Sequence, residues 1–190
     1  MARFWPALVV AVVGVLGAGA CSGGDGADDA DEAVGLSTTT VPVVPAPLAP
    51  AAAGAGVVRL GGDELELAVT ACAPEGDPTQ PEAARPLFTL AGEGTTAAGQ
   101  AFTVSVQRFV TGVTVRTFTD TITYEDPGQV LQAQRVEVNG VVTDLRDAAA
   151  RTPLLQIRAG GVAAQGLAGP PGSAAGMPGL VGLALDASCT

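Results

Sequence analysis

Chemistry in this 190-residue chain has to come from nineteen carboxylates, nine arginines and three cysteines, because it has no lysine and no histidine. Without histidine the commonest general base and metal ligand is missing, so Ser-His-Asp and Cys-His arrangements and the usual zinc sites are excluded. Without lysine, Schiff-base chemistry, Ser-Lys dyads and P-loop phosphate binding are excluded too. What remains is a pair of carboxylates working as acid and base, as in glycoside hydrolysis. Glu64 and Glu66 would share one face of a strand, and Asp120 lies near Glu125 and Asp126. Acids on the wet side of strands are in general a solvated face, and that is the reading adopted. A carboxylate-based hydrolase stays as the weakest of three functional readings, and the expected catalytic set is empty. Calcium at Asp77, Asp120, Glu125 and Asp126 would need a recognisable ligand loop, and none is present. The expectation is therefore no metal and no cofactor. A formal charge of −10 also disfavours nucleic acid as a partner.

The cysteines and the N-terminus speak to compartment. Arg3 precedes a run without charge from Phe4 to Ala20, an export signal a little too short for a comfortable membrane span. The run ends Leu16-Gly17-Ala18-Gly19-Ala20-Cys21, which resembles a bacterial lipoprotein processing site, with Ala18 where the family pattern usually has Leu. An ordinary signal peptide cleaved after Ala20 fits the same small residues, but it would have no need of a cysteine next. The resemblance implies a signal peptide over 1–20 and lipidation, palmitate included, of Cys21. The chain would then sit at the cell membrane, lipid-anchored on the extracytoplasmic face. Each buried methylene contributes about 0.8 kcal/mol, so two or three acyl chains hold firmly where one does not. With Cys21 acylated, Cys72 and Cys189 are the one remaining pair, and export permits a disulfide between them. Their distant spacing suits a structural bond rather than a redox motif.

Residues 21–55 read as the acylated cysteine followed by a disordered stalk. Asp25, Asp28, Asp29, Asp31 and Glu32 lie among Gly and Ala; Pro42, Pro45, Pro47 and Pro50 follow among Ala and Val. Neither half has an apolar period that could offset its ordering entropy. Ser37, Thr38, Thr39 and Thr40 beside the prolines suit O-glycosylation of a stalk.

From residue 57 the period becomes two, and a β domain is expected over 56–190. Leu65, Leu67, Val69 and Ala71 alternate with polar neighbours up to Cys72, and Phe102, Val104 and Val106 alternate with Thr103, Ser105 and Gln107. A long strand is expected from Val113 to Tyr124, with a bulge near Arg116-Thr117 where its apolar phase changes. Asp126-Pro127-Gly128 reads as a turn. Asn139-Gly140 supplies the two positive φ angles of a type I′ hairpin. That register sets Arg135 opposite Asp144, as a surface pair, and Val136 opposite Thr143. A short helical turn over 144–151, strands over 154–159 and 180–187, and a loop over 165–179 complete the reading. The fold class is mainly β, an antiparallel β-sandwich or half-open barrel with little helix in the mature domain.

The early Cys strand Val69-Thr70-Ala71-Cys72 and the C-terminal stretch carry a family likeness. Ile157-Arg158-Ala159-Gly160-Gly161-Val162-Ala163-Ala164, a Pro-containing loop, then Leu180 to Cys189-Thr190 resemble the mycobacterial nineteen-kilodalton lipoprotein antigen family. Absent lysine and an Ala/Gly/Val/Arg bias fit a GC-rich actinobacterial genome. The resemblance implies a non-enzymatic cell-envelope lipoprotein, a surface antigen or adhesin-like protein. Its partners would be the membrane, through the acyl chains, and an envelope or host surface. The alternative is a carrier or binder of an envelope lipid or glycolipid in an apolar pocket.

Overall fold

Alternation of apolar and polar residues turns most of this chain into strands with one wet and one dry face. The computed structural model describes residues 42–74 and 84–190. Its strands are β1 (Ala55–Leu60), β2 (Asp63–Ala73), β3 (Ala84–Thr95), β4 (Ala101–Thr111), β5 (Thr117–Asp126), β6 (Gln129–Val138), β7 (Val141–Asp144), β8 (Leu155–Arg158), β9 (Gly161–Ala168) and β10 (Val181–Ser188). All pair antiparallel in one sheet of order β7-β6-β5-β4-β3-β2-β1-β10-β9-β8. The sheet curls into a half-open barrel with no helix among the described residues.

The dry face lies inside the curl. Phe102, Val104 and Val106 of β4, Ile122 and Tyr124 of β5, and Leu183 and Leu185 of β10 are all buried there. One inner row runs Phe102, Gly94, Leu67, Gly56, Ala187 across five strands. A Cβ at Gly94 would collide with the Phe102 ring, and one at Gly92 with Leu67, so the glycines make room for large neighbours.

The turns divide between two ends. The β1–β2, β3–β4 and β5–β6 turns and the 169–180 loop ring one end, called the mouth. The Asn139-Gly140 turn, the β8–β9 turn and the Cys72–Cys189 disulfide lie at the opposite end. The sheet edges β6–β7 and β8–β9 come near each other without a continuous ladder. Two backbone hydrogen bonds between Gln132 and Gly169, of 2.7 and 3.1 Å, bridge them on the mouth side.

Several expectations are corrected. The strand expected from Val113 begins only at Thr117; Gly112–Arg116 is a turn, with Gly112 at φ +83° and Val113 and Val115 exposed. The phase change near Arg116-Thr117 therefore marks a strand start, and the observed irregularities fall at Val69/Ala71 and Pro86/Phe88. The loop expected over 165–179 begins later, because β9 runs on to Ala168; small Ala and Gly residues fit where β9 is packed between neighbours. Asp144 ends β7, and residues 145–151 form bends and one turn rather than a helix, closed by Ala150 N–H to Asp147 O at 3.0 Å. β3 was not anticipated, its glycines masking the alternation.

Pro42–Gly54, within the expected stalk, lies along the outer face of β10. Gln165 Nε2 donates to Pro45 O at 2.8 Å, Ala51 N–H to Asp186 Oδ1 at 2.8 Å, and Ser188 Oγ to Ala51 O at 3.0 Å. Gly182 and Ala184 leave room for that backbone, and Ala184 is fully buried beneath it. The order comes from small residues on a distant strand, which the local composition of 42–54 does not reveal.

Candidate functional site

On three strands the apolar inner phase runs directly into a charge. Arg108 follows Phe102, Val104 and Val106; Asp120 precedes Ile122 and Tyr124; Arg135 follows Leu131 and Ala133. Register aligns Arg108 with Asp120, Asp120 with Arg135, and Arg135 with Asp144. The result is an alternating Arg-Asp-Arg-Asp row on the inner face.

The row is closed by bonds. Arg108 donates through Nε and Nη2 to the two oxygens of Asp120, both at 2.7 Å. Arg135 Nε donates to Asp144 Oδ2 at 2.6 Å, with the two side chains 4% and 2% exposed. The bond to Asp120 holds the Arg108 guanidinium above its ordinary pKa. The row also reaches the opposite edge of the barrel. Arg108 Nη2 donates to Leu155 O at 3.3 Å, Asp120 Oδ2 accepts from Leu155 N–H at 3.4 Å, and Arg135 Nη1 donates to Thr152 O. Side chains thus satisfy backbone groups that a strand ladder would otherwise satisfy. The Arg135–Asp144 pairing was expected, but as a surface pair; the structure buries it. The curl of the sheet and the 145–154 crossover cover it.

The mouth is a cleft of about 540 Å³. Its floor includes Leu60, Leu65, Leu131 and Val181, and its rim carries Asp63 and Asp126. Asp126 Oδ1 accepts the N–H groups of Gly128 at 2.7 Å and Gln129 at 3.0 Å; Oδ2 accepts the Tyr124 hydroxyl at 2.9 Å. The Gly128 N–H, foremost among these donors, holds the Asp126 carboxyl below its ordinary pKa. Burial, assisted by the Asp126 bond, pushes the Tyr124 phenol up to about 12. Asp126 is thus an ionised turn-holding acceptor.

The candidate carboxylates do not converge. Asp120 and Asp126 share a strand six residues apart, about 20 Å at strand rise. Glu125 is exposed on the other face of β5. Glu64 is exposed and paired with Arg59, and Glu66 is exposed beside it. Among the described residues no group of three or more His, Cys, Asp or Glu is placed to hold a metal ion. Cys72 and Cys189 are bonded, with Cα atoms 5.7 Å apart. Cys21, Ser37, Thr38, Thr39, Thr40 and Asp77 lie outside the described residues. Apart from Arg135 facing Asp144, the inner charged row is not anticipated by the sequence. Its signal was present, as charges occupying the apolar phase of three separate strands. Comparison of the chain with protein-family models, curated proteins and solved structures found no match.

Proposed function

We propose that this chain is a non-enzymatic lipoprotein of the cell envelope, anchored through acylated Cys21 and displaying its β domain as a surface antigen or adhesin-like module. The observation that carries this reading is the occupied interior. Phe102, Ile122, Leu183 and Leu185 fill the curl, and the Arg-Asp row closes it where an acyl chain would otherwise continue. The inner carboxylates Asp120 and Asp144 are committed to arginines, which suits a scaffold better than proton transfer. The N-terminal attachment also fits display. Pro42–Gly54 runs alongside β10, with Val43 against Gly182 at the mouth end.

The test is fractionation of cells carrying Cys21→Ala. Parent protein is expected in the detergent phase of membranes, and the variant in the medium or unprocessed. A variant that still partitions with detergent and carries acyl chains would sink the anchor. The lipid-carrier alternative draws on the apolar floor of the mouth. Native mass spectrometry after mild extraction separates the two: a stoichiometric copurifying lipid, distinct from the covalent chains, selects the carrier.

A further inference from the structure

Arg146 stands apart from the other inner arginines. It is 3% exposed, yet its guanidinium makes one hydrogen bond among the described residues, from Nε to Ser173 Oγ at 3.3 Å. The nearest carboxylate, Asp144, is already committed. Its Oδ2 accepts from Arg135 Nε, and its Oδ1 accepts the N–H groups of Arg146 at 2.8 Å and Asp147 at 3.3 Å. The neighbouring Asp147 turns Oδ1 to the N–H of Ala149 at 3.0 Å. Glu137 adds its field at Arg108, at the other end of the row. Arg146, Arg135 and Arg108 thus face only Asp144 and Asp120 within the buried row.

A guanidinium withdrawn from water without a bonded counter-charge is costly. Burial lowers the Arg146 pKa, with Asp144 opposing weakly. No buried side-chain nitrogen lacks a partner among the described residues, so the unbonded Nη1 and Nη2 reach the edge of solvent. The Nη1 and Nη2 donors of Arg146, with the Ser173 hydroxyl held at Nε, match the fork that a planar or tetrahedral oxyanion accepts.

We infer that Arg146 and Ser173 form a binding site for a small oxyanion, a carboxylate or phosphate, between the 145–154 crossover and the 169–180 loop. Ser173 N–H bonds to Pro170 O at 3.0 Å, and Ala175 N–H to Leu145 O at 2.7 Å. These bonds fix both walls of the site before any ligand arrives. An occupant would complete the neutralisation of the row and tie the loop to the crossover.

Thermal unfolding of the full mature chain tests this at pH 7, in sodium phosphate or sodium acetate against sodium chloride of equal ionic strength. The expected result is a saturable rise in Tm of about 2–5 °C in at least one oxyanion and not in chloride. The phosphate and acetate arms tell which oxyanion chemistry is preferred. Arg146→Met should abolish the rise while melting no lower than the parent in chloride, because an unneutralised buried charge has been removed. If that variant does not fold, Arg146→Lys keeps the charge without the fork and should weaken the response at least several-fold. Equal melting of the parent in all three salts overturns the inference. So does a response undiminished in the variant that folds.

Discussion

Asp144 gathers three donors onto one carboxylate, and its value comes from where it lies. Exposed, an Arg–Asp cross-strand pair contributes roughly 0.2–1 kcal/mol. Buried, as Arg135–Asp144 is, losing either partner alone strands a charge, at a cost of about 3–5 kcal/mol. The turn arithmetic at Asn139-Gly140 was enough to pair these residues, because a two-residue loop fixes register. It could not bury them. Tyr124 offers a direct test at this scale. It is the one tyrosine of the chain, and its phenol is pushed up to about 12 in the folded protein against about 10 unfolded. Folding therefore favours the protonated phenol. Its contribution to stability is fully present below pH 10 and is lost as pH rises from there through about 12. Ultraviolet titration of tyrosinate should show one phenol with a midpoint near 12, returning to near 10 in urea. A native midpoint near 10 would contradict the buried bond to Asp126.

Among the elements, the β6–β7 hairpin was the most legible. Asn139 at φ +51° and Gly140 at +79° form the expected turn, and Val136 pairs with Thr143. An added Cβ at Gly140 meets nothing within 4 Å, so any substitution penalty there is backbone strain alone. Gly140→Val should cost about 1–2 kcal/mol, and Gly140→Ala less, since β-branching adds to the left-handed penalty. Urea midpoints of the two variants against the parent measure this, and an unshifted Gly140→Val would contradict the turn. Elsewhere alternation misled where glycine or exposure broke it. Val113 and Val115 kept a strand-like period while projecting from a turn. β3 and the end of β9 carried small residues whose burial depends on neighbouring strands.

For the whole molecule, the first and last strands, β1 and β10, pair inside the sheet rather than at an edge, and the Cys72–Cys189 bond locks that arrangement across 117 residues. A cross-link of that span removes roughly 4–5 kcal/mol of unfolded-state entropy in the chain model. Reduction should therefore lower the urea midpoint sharply, and equal midpoints with and without reductant would contradict the bond. The sequence by itself determined what depends on near neighbours: strands with a period of two, the hairpin and its register, and the absence of histidine and lysine chemistry. Of its three cysteines, Cys72 and Cys189 form the bonded pair. The tertiary structure alone decided that charges in the apolar phase of β4, β5 and β6 form one closed row. It alone laid Pro42–Gly54 on β10 and left the Arg146 guanidinium with an open fork. Those outcomes depend on the curl of a ten-stranded sheet, which brings together residues distant in the chain and sets burial by what crosses over them rather than by local composition.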